Sequence, residues 1–121
     1  MKYMLLIYHG EQSWNTLTET EHQQIYGEYG NLIGQLKARG QFVTGSELQP
    51  IMTATSVRVR DGKELVTDGP FAETHEQLGG YILVEAENLD EATSIAAQIP
   101  SARTGTVEVR PLAESAAEAS A

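Results

Sequence analysis

The chain has 121 residues and no cysteine, which fits a single domain and excludes disulfides, thiolate metal sites and a cysteine nucleophile. Its 17 acidic and 8 basic side chains give a net charge of −9, and such a field repels phosphate backbones and anionic membrane surfaces. We therefore expect neither nucleic-acid nor membrane binding. No apolar run approaches the ~20 residues that a membrane helix needs, so the sequence predicts a cytoplasmic protein.

The N-terminal part predicts a strand, a polar loop and a long helix. Residues 2–9 contain consecutive apolar side chains, as in a strand covered on both faces, and residues 11–17 predict the loop. The helix begins with a capping box in which the Thr18 hydroxyl accepts from the Glu21 amide, and Gly40 ends it. One apolar stripe follows the helix: Ile25, Tyr29, Leu32, Ile33 and Leu36.

The middle of the chain predicts three strands. Residues 41–47 form the first, and residues 55–60 and 63–67 form a hairpin around an Asp-Gly turn. Within this hairpin, the alternation of residue types predicts that Val57 and Val59 point inward and the neighbouring arginines outward.

The C-terminal part predicts a strand, a helix and a last strand. The strand spans residues 80–87, the helix begins after Asn88 and stops at Pro100, and the last strand spans residues 106–110. Residues 113–121 are rich in Ala, Ser and Glu, which predicts a disordered tail. The helix has one buried stripe: Ala92, Ile95, Ala96 and Ile99.

Without the hairpin, the order of elements is β-α-β-β-α-β, the ferredoxin-like arrangement of the α+β class. We take residues 1–112 as one domain of this kind. Its two helices cover one face of an antiparallel sheet, and the other face needs a cover. We therefore expect a homodimer in which two sheets pack face to face as a dimeric α+β barrel.

Residues 66–81 hold the highest density of residues with special backbone or ionisable roles. The turn Asp68-Gly69-Pro70-Phe71 has a purely structural interpretation. In it, the Asp68 side chain caps the turn, Gly69 and Pro70 supply the backbone angles that the turn needs, and Phe71 anchors the turn in the core. The functional interpretation places Asp68 at the mouth of a barrel, where ligand sites form. A carboxylate beside an imidazole can then act with it as general base and orienting partner.

Further candidate residues lie outside that loop. His9 ends the first strand, and it pairs with Asp68 if both strand ends share one rim. His22 either faces the cavity beside the sheet or sits at its edge, and Trp14 either packs on the core or borders a pocket. The histidine spacing matches no metal motif, so we predict no metal or cofactor. The catalytic candidates are Asp68, His75 and His9, and the binding candidates are Trp14, His22, Phe71, Glu73 and Glu76.

Three segments of the chain carry a resemblance to a known family: Asp68-Gly69-Pro70-Phe71, Glu76-Gln77-Leu78-Gly79-Gly80-Tyr81 and Val107-Glu108-Val109-Arg110-Pro111. In these segments the chain resembles the DGPF proteins of the YCII-related superfamily. The resemblance extends over roughly residues 1–112 and implies a ferredoxin-like fold in a dimeric α+β barrel. It also implies a possible sigma-factor association, and enzymatic activity through a histidine–aspartate pair. At position 75 the family pattern usually has lysine, so His75 weakens any role assigned to a cation there.

Two hypotheses follow for function. The first is a dimer that binds an unknown small molecule, with or without acid–base catalysis. The second is a non-catalytic regulatory or interaction module linked to transcription machinery. An apolar pocket with inward-pointing ionisable groups favours the first, whereas the absence of a cavity and an Asp68 carboxylate bound to backbone amides favour the second.

Overall fold

The computed structural model describes residues 1–113, so all but the first residue of the predicted tail lies outside the described residues. No helix in that range is both long and apolar enough to cross a membrane. The elements, in chain order, are β1 (Lys2–His9), α1 (Glu11–Asn15), α2 (Glu19–Ala38), β2 (Phe42–Glu47), β3 (Thr55–Arg60), β4 (Lys63–Asp68), β5 (Gln77–Glu85), α3 (Leu89–Ala97) and β6 (Thr106–Pro111), with 3-10 turns at Ile51–Thr53 and Pro100–Arg103.

Four of the strands form an antiparallel sheet in the order β2-β5-β1-β6, so the predicted α+β class is confirmed. Within this chain the sheet is open and does not close into a barrel. Alternate residues of β1 and β5 face α2 and α3, and together they form the core. Its largest fully buried side chains are Leu5, Leu36, Ile99 and Val84.

Helix α2 begins and ends at the residues that its sequence indicates. The Thr18 hydroxyl accepts from the Glu21 amide at 3.1 Å, and the Thr18 amide donates to the Glu21 carboxylate at 3.0 Å. Gly40 has φ +71°, a left-handed conformation that glycine adopts at little cost. Leu32 and Leu36 are buried, so the stripe turns α2 toward the sheet.

The segment predicted as a polar loop after β1 is the short helix α1, so that prediction was wrong. Its first turn is closed by the Trp14 amide, which donates to the Gly10 carbonyl at 3.1 Å. Tertiary contacts hold it in place, because the Glu11 amide donates to the Gln77 side chain and the Ile51 amide donates to the Glu11 carboxylate, both at 2.9 Å. Such partners are distant in sequence, and a five-residue helix has too few residues to show a periodic pattern.

The C-terminal elements agree closely with their predictions. Asn88 caps α3 by accepting from the Glu91 amide at 2.9 Å. Strand β5 begins at Gln77, three residues earlier than predicted, because its N-terminal end still pairs with β1. The four residues of the predicted α3 stripe are all buried: Ala92, Ile95, Ala96 and Ile99.

The hairpin of β3 and β4 has no core beneath it. The two strands pair only with each other, and Val57 and Val59 are 59% and 61% exposed. The prediction that these valines point inward was therefore wrong. Alternation identified the strand correctly, but a hairpin that forms its own two-stranded sheet has nothing to bury its apolar face against within residues 1–113.

Candidate functional site

A cavity of about 540 Å³ lies between α2 and one end of the four-stranded sheet. Strands β1 and β2 both pair antiparallel with β5, so they run in the same direction. Their C-terminal residues, His9 and Glu47, therefore lie at the same edge of the sheet, where both line the cavity. Much of the remaining lining is aliphatic and comes from the sheet and α2: Ile7, Ile82, Ile25 and Ile33.

The glycine pair near the start of β5 lets neighbouring groups of β1 and β2 approach the β5 backbone at the cavity wall. A Cβ at Gly79 would overlap the His9 imidazole, and a Cβ at Gly80 would lie 2.9 Å from the Ser46 carbonyl oxygen. Close approach therefore requires glycine at position 80, where the neighbouring strand's backbone lies, whereas a side chain at position 79 would have to displace the His9 ring. The His9 ring is held against the backbone of β5 at the cavity wall.

Three aromatic rings form one side of the cavity. Trp14 is half-buried, and its ring lies 5.6 Å from Tyr26 and 6.1 Å from His9, both in edge-to-face geometry. Helix α1 supplies Trp14, and α2 supplies Tyr26. Of the two roles considered for Trp14, the structure shows the one beside a pocket.

His22 stands behind Trp14 and does not line the cavity. Its ring stacks on the Trp14 ring at 4.2 Å with an interplanar angle of 19°. The Trp14 carbonyl oxygen accepts a hydrogen bond of 2.8 Å from His22 Nε2, which therefore carries a proton. His22 thus sits at the edge of the cavity and fixes the position of Trp14.

Two tyrosine hydroxyl groups reach hydrogen-bond partners at the cavity wall. The Tyr26 hydroxyl donates to Glu47 Oε1 at 3.0 Å, and the Tyr29 hydroxyl lies 2.7 Å from the Ser101 hydroxyl. Burial raises the pKa of Tyr26, and the hydrogen bond and negative charge of Glu47 raise that pKa further. Burial also raises the pKa of Tyr29, partly offset by Ser101. Both phenols are therefore neutral hydrogen-bonding groups at neutral pH.

One cationic side chain lies at the mouth of the cavity. The Arg103 guanidinium, just after α3, forms an ion pair of 2.7 Å with the Glu28 carboxylate of α2. Both side chains are exposed, so water screens the pair and its contribution to stability is small. The pair links α2 to the 3-10 turn that follows α3.

The turn after β4 lies apart from the cavity lining. Gly69 has φ +98°, as the structural interpretation of the motif requires, and its amide donates to the Ala54 carbonyl at 2.7 Å. Phe71, however, is 81% exposed, so the prediction that it anchors the turn in the core was wrong. It borders a shallow groove on the hairpin with Arg58 and Leu65, because the hairpin carries this turn away from the sheet.

The other candidates on this loop are also outside the cavity lining. Asp68, Glu73 and His75 are exposed. Glu76 is half-buried and accepts from the Thr106 hydroxyl at 2.9 Å, which ties the entry of β5 to β6. In residues 1–113 no group of three or more His, Cys, Asp or Glu side chains is arranged to hold a metal ion.

Of the eight predicted site residues, the structure brings His9 and Trp14 to the cavity with His22 directly behind. The loop contributes none to that lining. No hydrogen bond or ion pair joins His9 to Asp68 in the described part of the chain. The catalytic roles assigned to Asp68, His75 and His9 remain predictions.

Most of the cavity lining was not predicted as part of a site, including the ionisable residues Tyr26, Glu47 and Arg103. A signal existed for Glu47, because β1 and β2 flank a β-α-β unit and their C-terminal ends must share an edge. Tyr26 lies three residues before Tyr29, which is in the apolar stripe. Nothing in the sequence indicates Arg103, whose position depends on the 3-10 turn after α3.

Two similarities to known proteins extend over nearly the whole chain. A family model described as the YCII-related domain matches residues 1–116. A protein of Rhizobium meliloti (strain 1021), described as uncharacterized, is 34% identical over 115 residues, which cover 93% of this chain and 93% of that protein. Both matches include the cavity and the turn after β4.

Proposed function

The chain belongs to the YCII-related family, and we propose that it binds a small organic molecule in the cavity beside α2. The observation that carries this proposal is the cavity itself. Its volume of about 540 Å³ falls within the range of roughly 300–1,000 Å³ that is typical of small-molecule sites. Apolar walls with a few polar groups are the usual lining of such sites.

The polar groups of the cavity are suited to fixing the orientation of a ligand. The Tyr29 and Ser101 hydroxyls form a pair on one wall, and the Glu47 carboxylate and the His9 imidazole lie at the sheet edge. An imidazole and a carboxylate are also groups that exchange protons in acid–base catalysis. We therefore assign any acid–base step to His9 and Glu47, in preference to His75, which lies outside the cavity lining.

A thermal-shift screen with a library of small organic molecules tests this proposal. The substitution Ser13→Phe places a ring in the cavity lining, and Ser94→Phe is the matched control on the exposed side of α3. A ligand at tenfold its Kd stabilises the folded protein by about 1.4 kcal/mol, which raises Tm by several degrees. We expect hits on the wild type and Ser94→Phe that Ser13→Phe loses. Hits that all three proteins share equally would contradict the proposed site.

We also propose that the four-stranded sheet adopts the ferredoxin-like arrangement and that a second copy covers its open face. The strand order β2-β5-β1-β6 with helices on one face supports this arrangement. Met4 and Leu6 pair with Leu83 and Tyr81 on the face opposite the core, and all four are only half-buried in the single chain. Packing of two such faces produces the dimeric α+β barrel.

The exposed hairpin favours a second candidate function, that of a protein-interaction module. Val57, Val59 and Val66 are each more than half exposed, and an isolated two-stranded hairpin is marginal in water. Replacing Val57 by Glu tests this role in a co-purification experiment with candidate sigma factors. Retention of a specific partner by the wild type, and its loss from the variant, would favour an interaction module over a ligand-binding protein.

A further inference from the structure

We propose that the cavity selects a ligand with a protonated amine on an apolar, ring-containing body, an inference that rests on the proposed small-molecule binding. This choice of ligand follows from three features: the Glu47 carboxylate, the aromatic side chains of the cavity, and the net charge of the chain. Each contributes separately to the preference for a cation.

The Glu47 carboxylate is the only acidic group among the described residues that line the cavity. It accepts from the Tyr26 hydroxyl at 3.0 Å, which orients it. Among residues 1–113, no cationic side chain lies within ion-pair distance of Glu47. A carboxylate has about four lone-pair sites, so it can accept further hydrogen bonds from an ammonium group.

The cation in the same lining already has an anionic partner, although water screens this exposed ion pair. Arg103 lies 2.7 Å from the Glu28 carboxylate, which does not itself line the cavity. A ligand carboxylate would have to compete with Glu28 for the guanidinium. An ammonium group has no such competitor at Glu47, so the charge available to a ligand is negative.

The aromatic wall favours the same ligand charge. Trp14 and Tyr26 both line the cavity, with ring centroids 5.6 Å apart in edge-to-face geometry, and the Tyr26 hydroxyl contacts the Glu47 carboxylate. The stacked His22 ring covers one face of Trp14, which leaves its other face and the Tyr26 ring for a ligand. Cations bind to the faces of Trp and Tyr with an attraction of about 0.5–1 kcal/mol at exposed sites. The apolar walls meanwhile accommodate a hydrocarbon ring.

The net charge of the whole chain also favours a cationic ligand. A net charge of −9 attracts cations and repels anions as they approach the mouth of the cavity. This long-range effect is independent of Glu47, so a control substitution must separate it from the local one.

Three probes share a phenyl ring and have polar groups that are cationic, neutral and anionic: 2-phenylethylamine, 2-phenylethanol and phenylacetate. Trp14 is the only tryptophan of the chain and lines the cavity, so its fluorescence reports binding directly. We expect the amine to bind about tenfold more tightly than the alcohol, from the sum of a screened ion pair and a cation–π contact. Phenylacetate should bind most weakly.

The variant Glu47→Gln keeps an acceptor for Tyr26 and removes the charge. It should reduce the preference for the amine from about tenfold to about threefold, because the cation–π contact and the overall charge remain, and it should leave the Kd of the alcohol unchanged. Glu108→Gln is the matched control, because Glu108 also accepts from a tyrosine, Tyr8 at 3.4 Å, but lies outside the cavity lining. It removes the same charge from the chain and should retain the preference for the amine.

The inference is overturned if phenylacetate or the alcohol binds as tightly as the amine. It is also overturned if Glu108→Gln reduces the preference as much as Glu47→Gln does, since the overall charge would then explain the effect of both substitutions. Failure of all three probes, while the library screen yields cavity ligands, contradicts the ligand class alone. Failure of both experiments contradicts the proposed function as well.

Discussion

The absence of a side chain at position 79 makes room for the His9 ring of the neighbouring strand β1. The His9 imidazole occupies the space that a Cβ at Gly79 would need, and it thereby reaches the cavity wall. Sequence reasoning recognised both residues as special, yet it could not connect them, because their contact depends on the register in which β1 pairs with β5. Glu47 was overlooked for the same reason, since an acidic residue at a strand end has no local signature.

The neighbouring Gly80 is buried, and a Cβ there would lie 2.9 Å from the Ser46 backbone oxygen, so Gly80→Ala should destabilise the protein by about 1–3 kcal/mol, the usual cost of forcing extra volume into a packed site. Urea denaturation provides the measurement. Gly34→Ala is the control, because a Cβ at Gly34 has no neighbour within 4 Å, and alanine stabilises a helix interior by up to about 1 kcal/mol. Equal stability of Gly80→Ala and the wild type would contradict the described close approach of β2 to β5.

Tyr29 should make stability fall at alkaline pH. Its pKa in the folded state is raised above 10.0, mainly by burial, so the folded state binds this proton more tightly than the unfolded state does. The stabilisation is full below the unfolded pKa and is lost as pH rises through the folded pKa. Urea midpoints measured from neutral pH to above pH 10 should show a steeper decline for the wild type than for Tyr29→Phe. Parallel declines would refute this role.

At the scale of elements, α2 shows what a sequence can specify by itself. Thr18, Glu21 and Gly40 determine its ends through local contacts, and a capping box can be recognised without knowledge of the fold. The predictions for α1 and for the inward side of β3 failed because both depend on distant partners. Alternation in β3 reveals which residues share a face, but not whether anything covers that face.

Thr18→Ala should cost about 1 kcal/mol of stability, as is usual for the loss of an N-cap. The Thr18 hydrogen bonds hold the pKa of Glu21 below 4.5. The resulting stabilisation is present above the unfolded pKa and is lost as pH falls through the folded pKa. Alanine retains the Thr18 backbone amide, which is the largest cause of this pKa shift, so the stability difference between wild type and Thr18→Ala, measured by urea denaturation, should narrow only slightly in acid. Thr18→Ser, which retains the hydroxyl cap, should behave like the wild type throughout.

For the whole molecule, the sequence predicted the order of elements and the α+β class, because each long element has a clear hydrophobic period. The cavity could not be predicted in this way. It is formed by side chains from β1, α1, α2 and β2 that meet only after the sheet has assembled. The motif at Asp68-Gly69-Pro70-Phe71 attracted attention through its composition, whereas the cavity is lined by aliphatic, aromatic and small polar residues that form no local motif.

The proposed dimer predicts a mass twice that of the 13.2 kDa chain in light scattering. Leu6→Glu should shift the protein toward a monomer without unfolding it, because Leu6 lies on the face opposite the core. Circular dichroism checks that the fold is retained. Val57→Glu, on the hairpin, is the control for charge at an exposed apolar position and should leave the dimer intact. A monomeric wild type would contradict the proposed covering of the sheet.

The central claim is that ligands occupy the cavity beside α2 and not the loop after β4. Amide NMR spectra of the ¹⁵N-labelled protein, titrated with 2-phenylethylamine, test it most directly. We predict the largest shift changes at the Trp14 indole and at the amides of Gly45 and Gly79, which line the cavity. Changes concentrated at residues 68–76, with the cavity amides unmoved, would contradict the account.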